Sequence, residues 1–167
     1  MIVLVSDTSV LIDLERAGLA EPALSLPHRF AVPDALYQVE LAPYDGDRLL
    51  RAGLEVEELN GVELGRAGQI RQERPRLSVN DSLALALARS RGWMLLAGDR
   101  LLREAAAEHA VECHGVLWII DELDRVAEVA RTALAAGLQK LAAHPRCRLP
   151  KAELRARIGL FQDKPIR

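Results

Sequence analysis

Apolar and polar positions along the chain follow two periods, and the switches between them mark the elements. Residues 2–6 are a short, β-branched apolar run with the length of a buried strand. Asp7, Thr8 and Ser9 follow, three helix-capping residue types in a row. Val10, Leu11, Leu14 and Ala17 then recur at helical spacing until Gly18 stops the helix. The pattern predicts a second short helix over 21–26 and a strand over 30–32. Pro33 suits the first turn of a helix over 34–42, which Pro43 ends. Asp45-Gly46 reads as a turn, 54–57 alternates as an edge strand does, and 61–73 has helical spacing up to Pro75.

In the second half, Ser78 and Asp81 have the spacing of a capping box before a helix over 82–91, which Gly92 closes. Residues 93–97 predict another buried strand, Gly98-Asp99 a turn into a helix over 100–108, and 111–113 a short strand. The apolar stretch 116–123 leads to two helices, 124–143 and 150–160. Leu134, Leu138 and Leu141 form a stripe expected to bury against the domain or another subunit. Strand alternating with helix argues an α/β fold with a mostly parallel sheet.

Composition narrows this. With 167 residues, half of them hydrophobic, the chain has ample material for one core, and disorder is excluded. No apolar run approaches the ~18 residues of a membrane span, and residues 1–5 run into Asp7 without the basic flank of a signal peptide. Cys113 and Cys147 do not make a disulfide framework. A cytoplasmic chain without membrane attachment is expected. Charge is uneven: residues 1–60 carry 4 basic and 11 acidic groups, whereas 140–167 carry 8 basic and 2 acidic ones. Such a basic tail favours a polyanion or an acidic partner.

The acids give the chemistry. Asp7 directly follows the first strand and Asp99 follows the strand at 93–97 after one glycine. Ligand sites of open parallel sheets lie just beyond the carboxyl ends of the strands. N-capping also accounts for either acid taken singly, Asp81 suits the first turn of its helix, and Glu40 alone reads as solvated surface. If all four converge, they repel, by about 4 kcal/mol for a pair about 4 Å apart at an effective dielectric of about 20. Protons or cations must then compensate. An all-carboxylate set without His or Cys favours Mg²⁺ or Mn²⁺ over zinc, and two such ions activate a water and stabilise a leaving oxygen in phosphodiester hydrolysis.

Four segments together resemble the PIN domain family. Residues 5–12 look like its opening strand, Asp-x-Ser/Thr and aliphatic helix, and 32–41 like its proline-led helix ending in a glutamate. Asn80-Asp81 before Leu83-Ala84-Leu85-Ala86 looks like its third acid on an alanine-rich helix, and 95–103 like its Leu-Leu-Thr-Gly-Asp element. The resemblance covers about residues 1–123 and implies a three-layer α/β/α sandwich, with 124–167 as a helical extension packed on the domain or a partner. It implies a Mg²⁺- or Mn²⁺-dependent endoribonuclease cutting single-stranded or structured RNA, with Asp7, Glu40, Asp81 and Asp99 as the catalytic, metal-binding acids and Ser9 supporting them. It also implies a homodimer and, as in many small members, a toxin held by a cognate antitoxin. Ala97 departs from the family, which often has a hydroxyl residue there.

Arg100 and Arg103, one turn apart beside Asp99, can hold an RNA phosphate or stand as solvated helix-face residues. Asn80 reads as a loop-capping amide, Trp93 and Trp118 as core, and His28, His109 and His144 as surface residues. A haloacid-dehalogenase-like phosphatase would need Asp two positions after Asp7, where this chain has Ser9. A PIN-like RNA-binding or interaction module without activity is the alternative to an enzyme.

Overall fold

The computed structural model of the chain describes residues 1–126 and 129–162. Lys164 and Arg167 of the basic tail, and part of the helix expected over 124–143, lie outside the described residues.

Five strands, β1 (Val3–Ser6), β2 (Arg29–Pro33), β3 (Leu54–Glu57), β4 (Met94–Leu96) and β5 (Cys113–His114), form a parallel sheet in the order β3-β2-β1-β4-β5. The chain winds outward from β1 through β2 to the edge strand β3, then returns across the sheet to β4 and winds the other way. The winding reverses between β1 and β4, and that reversal opens a crevice at the carboxyl ends of the two strands.

Parallel strands covered on both faces read as unbroken apolar runs, and the pleat divides them. Leu4, Met94 and Leu96 belong to one core, while Val5, Leu95 and Ala97 belong to the other. The first core is covered by α1 (Thr8–Ala17), α2 (Ala20–Leu24), α4 (Gly46–Ala52), α8 (Val116–Val126), α9 (Arg131–Ala143) and α10 (Lys151–Gln162). The second lies under α5 (Gly61–Glu73), α6 (Val79–Arg91) and α7 (Arg100–Glu108). The result is the α/β/α sandwich expected. Leu134, Leu138 and Leu141 are buried in the same core as Leu4, Leu11 and Phe30. Among the described residues no helix is long and apolar enough to cross a membrane.

Four local differences from the sequence pattern have physical causes. The helix after Pro33 is not uniform. Helix α3 (Asp34–Leu36) widens into a π-helical turn at Tyr37–Leu41 and tightens into a 3₁₀ turn at Ala42–Tyr44. Asp45-Gly46 is a turn, with Asp45 in the left-handed region at φ 68°, but it opens helix α4, which the polar composition of 46–52 conceals. A Cβ at Gly46 would lie 2.8 Å from the Leu41 carbonyl oxygen, so only glycine lets α4 start there. Strand β5 begins at Cys113 because the Val111 N–H folds back onto the Ala106 carbonyl. His28 and His109 are not surface residues: their side chains are 7% and 11% exposed.

Helix α9 approaches the end of α1 closely at Gly137, where a Cβ would meet the Ala17 carbonyl oxygen at 2.9 Å. Gly137→Ala is therefore expected to lose about 1–3 kcal/mol to overpacking. Gly68→Ala, where a Cβ has open space in α5, should gain up to about 1 kcal/mol of helix propensity. Urea unfolding of the two variants beside wild type checks both signs.

Candidate metal centre

Asp7 is the first residue past β1, and its N–H continues the ladder by donating to the Leu96 carbonyl of β4 at 2.9 Å. That fixes it in the crevice, 3% exposed. Its carboxylate caps α1, accepting from the Val10 N–H at 3.0 Å. The Gly98 N–H, on the loop after β4, donates to Oδ2 at 3.1 Å. The Ser9 hydroxyl lies 2.9 Å from both carboxylate oxygens. A Cβ at Gly98 would sit 2.5 Å from Ser9 Oγ, so glycine is what allows loop and helix to share the carboxylate. Ala97 is fully buried in the second core, and Ser9 supplies the hydroxyl that holds Asp7.

Asp99 caps α7 with Oδ2, which accepts from the Leu102 N–H at 3.0 Å. Ser78 caps α6 by accepting from the Asp81 N–H at 3.0 Å, and leaves the Asp81 carboxylate on the crevice side, half-buried. Capping is thus real for Asp7 and Asp99, and it orients the carboxylates rather than competing with a site. Glu40 comes from the π-helical turn, a widening that often accompanies functional positions. It is held from two sides: the Thr8 hydroxyl donates to Oε2, and the Asn80 amide donates to Oε1 at 2.8 Å. Sequence reasoning missed Thr8 and Gly98 and gave Asn80 a capping role. The available signal was adjacency, since Thr8, Asn80 and Gly98 each neighbour an acid in sequence.

The electrostatics link the four. Burial pushes Asp7 up to about 6 against its helix-cap and loop donors, and the charge of Asp81 adds to the rise. Asp81 is raised by burial, with the Ser78 hydroxyl opposing and the charges of Asp99 and Glu40 adding to it. Asp81 is therefore the group through which the others feel one another. Among the described residues, no Lys, Arg or His forms an ion pair with any of the four, although such pairs hold Glu15, Glu55, Glu63 and Asp121 elsewhere. As the side chains stand, no three His, Cys, Asp or Glu groups among the described residues close on one point to hold an ion. The donor set nevertheless fits a hard divalent cation. It is all oxygen, one carboxylate is buried without a counter-charge, and each acid retains acceptor capacity beyond its neutral donors.

Arg100 is largely exposed, its side chain 86% accessible, and lies 3.5 Å from Glu104. Arg103 is exposed and unpaired among the described residues, beside the turn that follows β5. Cys113 feels the charges of both Arg103 and Asp7, but burial pushes its thiol up to about 11, which keeps it neutral. His114 stacks on Trp118 at 4.7 Å and contacts Glu112 at 2.9 Å. Trp118 has His28 on it at 6.0 Å as well. Trp93 lies beneath Arg91 and Arg29. Both indoles are partly buried and pack against the edges of the two cores.

The raised Asp7 carboxyl has a consequence for stability. The folded chain holds this proton more tightly than the unfolded one, where the value is 3.8. The contribution is fully present below the unfolded value of 3.8, declines as the pH rises, and is fully lost above about 6, a change of about 3 kcal/mol at ~1.4 kcal/mol per unit. In EDTA, urea unfolding between pH 4 and pH 7 should show this decline for wild type, and Asp7→Asn should lack that component.

The family model described as DUF3368, a PIN domain, matches residues 3–163. No curated protein matches the chain. Among solved structures, a PilT N-terminus domain protein from the hyperthermophilic archaeon Sulfolobus solfataricus P2 is 17% identical, with a TM-score of 0.49, over 77% of this chain and 96% of that one. With the family model spanning nearly its whole length, the chain belongs to the PIN domain family, whose members are generally nucleases.

Proposed function

We propose that the protein is an endoribonuclease that hydrolyses single-stranded RNA with Mg²⁺ or Mn²⁺ held by Asp7, Asp81, Asp99 and Glu40. The observation that carries this reading is a buried Asp7 beside Asp81, both held above the usual carboxylate range chiefly by burial, in a set of four acids whose hydrogen-bond partners among the described residues are all neutral donors. A structural role would leave such a set paired with arginine, which this chain has in plenty: 19 of its 22 basic residues. PIN domain nucleases typically use divalent metals, and the cation would supply an activated water and charge stabilisation on the leaving oxygen.

The chain's own residues prepare the site. Ser9 and the Gly98 N–H hold the Asp7 carboxylate in one orientation. Thr8 and Asn80 fix Glu40 so that it reaches across from the far side of the crevice. These bonds narrow the orientations open to both carboxylates before a cation arrives. For a paired antitoxin, the supporting surface is an apolar cleft of about 490 Å³ lined by Leu11, Ile12, Leu41 and Tyr44, which opens at Thr8 and Glu40.

The test is cleavage of a fluorescent single-stranded RNA with Mn²⁺ or Mg²⁺. Wild type should cut, while EDTA and Asp7→Asn should each reduce the rate by at least about a hundredfold, a loss of roughly 3 kcal/mol or more in transition-state stabilisation. Asn80→Ala, which removes one of the two bonds that hold Glu40 and leaves the Thr8 hydroxyl on it, should give a smaller loss. Equal cleavage by Asp7→Asn, or cleavage in EDTA, would contradict the reading.

A further inference from the structure

A second feature lies on the same edge of the sheet. A cleft of about 440 Å³ runs away from the acids, bounded by Gly98, Arg100 and Arg103 on one side and by Gly115, Arg148 and Pro150 on the other. Gly98 belongs to both places, since its N–H holds Asp7. The cleft therefore begins where the carboxylates end. Its far wall comes from the segment between α9 and α10, far along the chain from the four acids.

Charge on the walls separates into spent and free groups. Glu104 is engaged by Arg74 and Arg100, both at 3.5 Å, and Asp13 by Arg16 at 3.6 Å. Arg103 and Arg148 have no side-chain hydrogen bond or ion pair among the described residues. Other exposed arginines are unpaired too, but these two line one concave space. Arg103 reaches the turn after β5, where a Cβ at Gly115 would be 3.0 Å from its Nη1, so the bare glycine leaves room for the guanidinium. In the adjoining cleft, Arg157 is held by Asp121 through two bonds of 2.8 and 2.7 Å, which anchors α10 to α8 and supports the 148–150 wall. Guanidinium groups are suited to phosphate oxygens, which they bind in a planar, two-pronged manner.

We propose that Arg103 and Arg148 hold a neighbouring phosphate of the RNA strand whose scissile bond lies at the acids, so that the segment after α9 forms part of the nucleic-acid path. This rests on the ribonuclease reading above and extends it to the C-terminal part of the chain. An acidic protein segment is the rival occupant. Continuity with the carboxylate crevice favours the nucleic acid, because a strand positioned at the acids must leave along one of the walls and this one carries free cations.

The experiment measures binding of a fluorescein-labelled single-stranded RNA octamer by anisotropy with Mn²⁺, in an Asp7→Asn background that keeps the strand intact. Arg148→Ala and Arg103→Ala should each weaken binding by about three- to tenfold and flatten the salt dependence by about 0.7 in log–log slope, the value for one phosphate contact on a single strand. Arg89→Ala, at the opposite end of the sheet beside Gly92 and Trp93, should leave both unchanged. Unaltered affinity and slope in Arg148→Ala would overturn the proposal. So would binding of labelled poly-glutamate as tight as that of RNA and equally dependent on Arg148. Arg148-dependent RNA binding by a chain that fails to cut would support the cleft and contradict only the nuclease reading. Arg148-independent binding by a chain that cuts would contradict the cleft alone.

Discussion

A carboxylate buried at the end of the central strand, hydrogen-bonded among the described residues to neutral donors alone, is the constraint on which the site depends. Asp7 is 3% exposed and takes its hydrogen bonds from Val10, Ser9 and Gly98. These donors hold its geometry but do not neutralise it, and burial raises its proton affinity despite them. A buried charge in this state is costly unless a proton or a cation joins it. The local sequence is fitted to that carboxylate: a serine two residues on, and a glycine 91 residues away where any side chain would strike that serine.

The sheet explains why this carboxylate meets others. The strand order brings β4 beside β1, so the loops after both strands open into one crevice. Asp99 begins the helix after β4, and Asp81 begins the helix that precedes it. Glu40 reaches the crevice from the far side through the π-helical turn. Helices α9 and α10 pack in the core beneath α1, which carries Asp7 at its N-terminus. The C-terminal segment is thereby tied to the element that positions the central acid, and the Arg148 wall stands at a fixed place relative to it.

Much of the scaffold was legible because its signals are local. Apolar strand runs, the stops at Gly18 and Gly92, and the capping residues Asp7, Ser78 and Asp99 all act over a few positions. The location of Asp7 and Asp99 at the carboxyl edge follows from those signals alone. What was hidden depends on distant partners. The bonds that hold Glu40 come from Thr8 and Asn80, 32 and 40 residues away. The start of α4 depends on the close approach of Gly46 to the Leu41 carbonyl, five residues back, and the π-helical turn leaves no mark in the apolar pattern. His28 carries no sequence sign that Glu122 and Trp118 enclose it. The family resemblance identified four acids by type and order, but the neutral donors that orient them emerge only from the fold.

Whether the carboxylates of this crevice take up a divalent cation is decided by where Mn²⁺ sits in the molecule. The most direct measurement is anomalous diffraction from crystals soaked in Mn²⁺ at neutral pH, where Asp7 is ionised. The expected result is an anomalous peak bounded by Asp7, Asp81 and Asp99, with side chains turned inward from their present positions. Manganese bound only at surface carboxylates, with the crevice empty, would contradict it.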